Sequence, residues 1–128
     1  MKLLLDTHLL LWTAQKSTRL SAAALKLIND PANELLFSVA SLWEFGIKYA
    51  KVPDDFGVSP SELREALLQN GFVEVEITGK HVLAISNLPA LHGDPFDRLL
   101  VAQTAVEGIT LLTSDARVAQ YPGSIRKV

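Results

Sequence analysis

Near its start the chain runs three leucines directly into a carboxylate, Leu3-Leu4-Leu5-Asp6-Thr7. A short unbroken apolar run bounded by a turn signal reads as a β-strand covered on both faces, since a strand with one wet face alternates instead. A charge placed straight after such a strand lies at the rim of a core. Its desolvation there is costly unless a cation or hydrogen-bond donors stand nearby. In open parallel sheets that rim, at the carboxyl ends of the strands, is where ligands bind. Asp6 is therefore expected to mark a binding rim on which other acids of the chain converge.

The rest of the chain supplies the partners such a strand needs. Thr7 to Ala14 reads as a short helix, and Ser21 as the N-cap of a helix over Ala22–Ile28 closed by Asn29-Asp30-Pro31. Leu35-Leu36-Phe37 is a second short buried strand. A helix follows from about Val39 to Lys51, with Val39, Leu42, Trp43, Gly46, Ile47 and Ala50 spaced as one apolar face. The stretch from Val52 to Ser59 reads as a surface loop. Ser59-Pro60 opens another helix and Asn70-Gly71 stops it. Phe72 to Ile77 alternates apolar and acidic residues, the pattern of a half-exposed strand near a sheet edge. Thr78 caps a helix through about Ile85.

His92-Gly93-Asp94-Pro95-Phe96-Asp97 is the sharpest helix start in the chain, with Asp94 at N-cap, Pro95 at N1 and Asp97 at N3. The helix that follows is apolar nearly all round and is expected to be buried, with Gly108 as its stop. Ile109–Leu112 forms another strand, leading into Thr113-Ser114-Asp115, and Ile125–Val128 is a candidate last edge strand. Helices alternating with short buried strands mean an α/β fold with a largely parallel sheet. With no repeat, linker or low-complexity tract, residues 1–128 read as a single domain.

Composition removes several alternatives. The absence of cysteine excludes disulfide frameworks, thiolate zinc sites and a cysteine nucleophile, and makes the cytoplasm the expected location. No apolar stretch reaches the ~18–20 residues that span a bilayer, and the N-terminal run broken by Asp6 does not read as a signal peptide. A hydrophobic share of 48% and a mean hydropathy of +0.22 are high for a chain of 128 residues, so either much of it is buried or a partner covers apolar surface. The net charge of −2 argues against a passive nucleic-acid coat. If Asp6, Glu44, Asp94, Asp97 and Asp115 form one cluster, however, nine acids remain against twelve basic residues, and the rest of the protein is +3. A phosphate-bearing substrate therefore stays open.

Each acid has a structural explanation of its own. Asp6, Asp94 and Asp115 fit helix or turn caps, Asp97 fits the N-terminal end of a helix dipole, and Glu44 fits a surface pair with Lys48. The joint pattern asks for more. Asp6 and Asp115 each follow a buried strand, Asp97 lies in the first turn of a buried helix, and Glu44 stands two turns into the helix after the second strand. Acids on one rim repel each other unless a cation is bound. Oxygen ligands without His or Cys suit Mg²⁺ or Mn²⁺ rather than zinc. Such ions polarise phosphoryl oxygens and activate water.

Leu4-Leu5-Asp6-Thr7-His8, Ser41-Leu42-Trp43-Glu44-Phe45-Gly46-Ile47-Lys48, the block from His92 to Gln103 and Leu111-Leu112-Thr113-Ser114-Asp115 occur in that order. In these four motifs the chain resembles PIN-domain ribonucleases, in particular VapC-type toxins of bacterial toxin–antitoxin pairs. The resemblance covers essentially the whole chain, and its Asp-Pro-Phe-Asp-Arg block is the strongest single signal. It implies a PIN-like three-layer α/β fold with a central, mainly parallel sheet flanked by helices. It implies a metal-dependent endoribonuclease that cuts RNA, a homodimer, and a cognate antitoxin whose C-terminal arm occludes the site. It makes Asp6, Glu44, Asp97 and Asp115 the acidic quartet around Mg²⁺ or Mn²⁺, with Asp94 as a further ligand or only a helix cap. One departure lies in the tail. Where relatives often carry an aromatic residue shortly after the last acid, Val118 stands here and Tyr121 follows.

Secondary roles are assigned by proximity. Thr7, Thr113 and Ser114 bring hydroxyls beside the acids, to hold a ligand water, orient a carboxylate or make a turn. Lys48 and Arg98 are candidates to meet a phosphate, against the plainer readings of a Glu44 partner and a solvated helix residue. His8 and His92 are read as making local hydrogen bonds, and Trp12 and Trp43 as core or partner-facing. Two other functions are carried alongside. One is a different Mg-dependent phosphoryl-transfer enzyme, such as an aspartate-nucleophile phosphatase, although His8 occupies the place where such enzymes usually need a second carboxylate. The other is a non-catalytic interaction module that retains the fold.

Overall fold

The computed structural model describes residues 1–128. Five strands form one sheet: β1 Lys2–Leu5, β2 Glu34–Ser38, β3 Val73–Val75, β4 Thr110–Thr113 and β5 Ile125–Lys127. Their order is β3-β2-β1-β4-β5 and every neighbouring pair is parallel. The sheet expected to be mainly parallel is wholly so. β1 is its central strand. The helices are α1 Thr7–Ala14, α2 Ala22–Ile28, α3 Val39–Lys51, α4 Pro60–Gln69, α5 Gly79–Ala84 and α6 Pro95–Glu107. The stretch expected as a loop after α3 holds a single 3-10 turn at Pro53–Asp55.

The leucine run behaves as a strand buried on both sides: Leu3, Leu4 and Leu5 are each 0% exposed. Alternation sends Leu3 and Leu5 into a core with Phe37, Phe45, Leu63, Leu67 and Leu112, beneath α1 and α4. Leu4 points the other way, into a core with Leu36, Leu99, Leu100, Leu111 and Val118, beneath α6. Three layers result, helix–sheet–helix. Each fully buried leucine contributes about 1.5–3 kcal/mol of transfer free energy.

Helix boundaries follow the chemistry of their ends. Ser21 and Asp94 cap α2 and α6 through side-chain oxygens. Ser59 and Glu62 form a capping box on α4. α6 ends on Gly108 at φ 66°, a left-handed conformation that favours glycine. The strand expected over Phe72–Ile77 shortens to Val73–Val75 at one edge of the sheet.

α3 differs from its sequence pattern in which side it buries. The apolar stripe is largely outside, with Trp43 59% and Ile47 41% exposed, which leaves for Trp43 the partner-facing one of its two expected places. The buried side carries Ala40, Ser41, Glu44 and Phe45. Only Ala40 and Phe45 are apolar, and they enter opposite cores. Ser41 and Glu44 are tolerated inside because the Thr7 hydroxyl lies 3.0 Å from Ser41 Oγ and donates to Glu44 Oε1 at 2.6 Å. A hydropathy pattern is blind to polar residues that bury as bonded pairs. α6 is buried along Leu99–Thr104, whereas Val106 near its end is exposed.

Replacing Leu4 by alanine removes a side chain held at the centre of the sheet with no route to solvent. The expected loss is about 2–5 kcal/mol of unfolding free energy, read from urea titration. A loss below about 1 kcal/mol would contradict the placement of β1.

Candidate active site

Sheet register fixes the first acid. Leu5 of β1 pairs with Leu112 of β4, so Asp6, just past the end of β1, stands level with Thr113, the last residue of β4. The Asp6 amide donates to the Leu112 carbonyl at 3.0 Å, continuing the ladder one step. The side chain then serves two elements. Oδ1 caps α1 by accepting from the Leu9 amide at 2.9 Å, and Oδ2 accepts from the Thr113 hydroxyl at 2.7 Å and the Ser114 amide at 3.3 Å. Asp6 is thus both a cap and a rim carboxylate. Burial raises its pKa, opposed by these donors and by nearby His8. Thr113 also accepts from the Asp115 amide at 3.0 Å, so one hydroxyl links the first and last acids. Ser114 contributes its backbone amide, not the hydroxyl expected from sequence.

Glu44 and Asp97 are brought together by two pins between α3 and α6. Ser38, the N-cap of α3, donates to Gln103 Oε1 at 2.6 Å, and Trp43 packs edge-on against Phe96 at 4.9 Å. Rising residue numbers on α3 meet falling numbers on α6, so the helices run antiparallel and Glu44 comes level with Asp97. Glu44 Oε2 lies 3.4 Å from Lys48 Nζ.

Asp94 caps α6 with one oxygen, Oδ1, which accepts from the Phe96 and Asp97 amides at 2.9 and 3.1 Å. Asp97 is pushed up to about 6 by burial first and then by the charges of Asp94 and Glu44, with His92 opposing. Asp115 accepts from the Arg117 amide at 2.8 Å and pairs with its guanidinium at 3.3 Å. Burial opposes ionisation of Asp115, but the Arg117 contacts outweigh it and its pKa is lowered. Arg117 also feels Asp97 and Asp94, which puts Asp115 on the same rim.

Three residues at the rim carry no motif signal strong enough for sequence reasoning to assign them: Arg117, Ser41 and Tyr121. The Tyr121 hydroxyl lies 2.7 Å from His92 Nδ1, and His92 Nε2 lies 3.2 Å from Asp97 Oδ2. The local hydrogen bonding expected of His92 therefore reaches an acid of the site. Arg98 is neither of the things expected of it. Its guanidinium turns inward and donates to the Ile85 and Pro89 carbonyls and to the Tyr121 hydroxyl, at 3.3, 2.9 and 3.0 Å. These contacts give it a structural role in tying the α5–α6 connection to the turn after β4.

The carboxylates lie along the rim with graded exposure: Asp6 and Glu44 are buried, whereas the Asp97 and Asp115 side chains are partly open to solvent. An all-carboxylate donor set fits a hard divalent cation. No three acidic or histidine side chains are, however, arranged around a common point. Asp6, Glu44 and Asp115 each accept from groups of the chain instead.

Because Asp97 titrates higher in the folded chain than its ordinary 3.8, its contribution to stability is complete below about pH 4 and is lost as pH rises through about 6. Asp6, also raised, acts in the same direction. The melting temperature of the metal-free protein is therefore expected to rise on acidification from about pH 7.5 to about pH 5, and Asp97→Asn to reduce that rise. An equal rise in the variant would contradict the coupling.

The sequence of residues 3–124 matches the PIN domain family. No curated protein matches the chain significantly in sequence. Among solved structures, a chain of VapBC2 from Rickettsia felis, bound to a DNA fragment from its promoter, superposes with a TM-score of 0.75 at 18% identity, covering 99% of this chain and 98% of that one. DNA-bound VapBC from Salmonella typhimurium gives 0.67 at 13% identity, covering 99% and 98%. VapC20 of Mycobacterium tuberculosis, a sarcin-ricin loop cleaving toxin, gives 0.66 at 12% identity, covering 94% and 96%. At these identities the likeness is one of fold. With the family match running over nearly its whole length and the acids on the carboxyl rim of a wholly parallel sheet, the chain belongs to the PIN domain family.

Proposed function

We propose that this chain is a Mg²⁺- or Mn²⁺-dependent endoribonuclease and the toxin of a toxin–antitoxin pair. The observation that carries the reading is the gathering of Asp6, Thr113 and Asp115 at the carboxyl ends of β1 and β4, with Asp97 in the first turn of α6, in a PIN domain whose sheet is wholly parallel. Asp94 and Glu44 both act on Asp97, so a cation there would relieve like-charge repulsion. Asp6, Glu44, Asp97 and Asp115 are the residues that would hold the ion. A bound divalent ion supplies activation of water and charge stabilisation at the phosphoryl oxygens.

The chain's own groups do the rest. Thr113 and the Leu9 and Ser114 amides hold both Asp6 oxygens in place and Thr7 holds Glu44, so the rim is oriented before any ligand arrives. Lys48 and Arg117 are the cations beside the acids, and both are open enough to solvent to turn toward an RNA phosphate. An aspartate-nucleophile phosphatase fits less well, because both oxygens of Asp6 already accept hydrogen bonds and would be weakened as nucleophiles.

The assembly belongs to the same proposal. The exposed stripe of Trp43 and Ile47 on α3 is an apolar surface that a second copy or a cognate antitoxin would cover, and relatives of this fold are solved as VapBC complexes. The same stripe would serve a non-catalytic module, so activity decides between the two. No helix is long and apolar enough to cross a membrane; the cytoplasmic location in this proposal rests on the cysteine-free composition.

Asp6→Asn is expected to reduce Mg²⁺-dependent cleavage of total cellular RNA by more than about 100-fold, since loss of outer-shell partners alone costs 10–100-fold, while circular dichroism stays native. EDTA should abolish cleavage by the wild type. Undiminished cleavage in either case would sink the mechanism. Trp43→Asp is expected to lower the solution mass from dimer to monomer by light scattering, and a dimer that persists would place the interface elsewhere.

A further inference from the structure

The cluster of His92, Tyr121 and Arg98 is tied to Asp97 by directional bonds whose order can be worked out from donor chemistry. Arg98 only donates, so at the 3.0 Å contact with Tyr121 the phenol oxygen is the acceptor. The phenol proton is then free for another acceptor. His92 Nδ1 lies 2.7 Å away, nearer than the His92 carbonyl at 3.5 Å. An Nδ1 that accepts leaves the ring proton on Nε2, and that nitrogen is 3.2 Å from Asp97 Oδ2. Tyr121 is buried, so water does not readily replace its hydroxyl. Arg98 is anchored independently by the Ile85 and Pro89 carbonyls.

We propose that Arg98, Tyr121 and His92 form a positioning relay that fixes His92 as the Nε2–H tautomer and holds Asp97 by one oxygen, leaving the other for the cation. The inference rests on the metal-dependent reading above and deepens it: it names the residues that aim one ligand. His92 is a positioning residue here, acting through Asp97. The relay also gives Tyr121 a place. It reaches the site through the imidazole from the turn after β4, whereas Val118 of the same turn only packs in the core. Two segments distant in sequence, the α5–α6 connection with the first turn of α6 and the turn after β4, close on one carboxylate.

Two measurements test the relay. In the metal-free wild type at neutral pH, imidazole ¹⁵N resonances of His92 are expected to show an unprotonated Nδ1 and a protonated Nε2. A protonated Nδ1 overturns the relay without need of any variant. Tyr121→Phe removes the hydroxyl and keeps the ring. It is expected to mix the tautomers and to weaken Mn²⁺ binding about tenfold or more, read by electron paramagnetic resonance titration of free Mn²⁺. Wild-type affinity in Tyr121→Phe sinks the relay alone. Absence of Mn²⁺ binding by the wild type sinks the metal reading itself, and with it the role of the relay toward a cation.

Discussion

The structure turns on the placement of one charge at the end of a strand that has no wet face. β1 is covered by helices on both sides, and its last leucine is followed immediately by Asp6. An ionised carboxylate there would be costly if left unbonded. The fold meets that cost with the Leu9 amide of α1, the Thr113 hydroxyl and the Ser114 amide, and the neighbouring strand must be in register for the last two to reach. The same contacts that make the acid tolerable also aim it. Satisfying the buried polar group and building the rim are one event, and the parallel order β2-β1-β4 around the central strand is what allows it.

The other acids are arranged by helices. α3 and α6 cross the rim antiparallel, and their pins bring Glu44 near Asp97. Repulsion among Asp97, Asp94 and Glu44 is only partly offset from within, by Lys48 on one side and Arg117 on the other. The protein therefore stands as a charged rim with its own loosely held cations. Lys48 and Arg117 are half-exposed or exposed, so their pairs are the cheap ones to open.

Much of this was legible along the chain because it is local. The Asp94-Pro95-Phe96-Asp97 start of α6, the Ser59 capping box and the Gly108 stop depend on neighbours within one turn, and they form where the pattern places them. The buried strands were legible because unbroken apolar runs have few other uses in a chain this short. What misled was α3, whose apolar stripe points outward while Ser41 and Glu44 go in. Periodicity counts hydropathy, and a bonded polar pair on a helix face is invisible to it. Arg98 misled for a related reason, since its partners lie on the α5–α6 connection and in the turn after β4.

The sequence by itself determined the alternation of strands and helices, the caps, and the identity of the acids, since each follows from residues in contact along the backbone. The tertiary structure alone decided which oxygen of each acid is engaged, which cation faces it, that Asp6 shares Thr113 with Asp115, and that His92 and Tyr121 close on Asp97. The contacts that decide most, Thr113 to Asp6, Tyr121 to His92 and His92 to Asp97, join groups 107, 29 and 5 residues apart, and their geometry exists only once the sheet register and the α3–α6 packing are set. The opening acid thus proves to be a helix cap and a rim carboxylate together, because its two oxygens face two different elements.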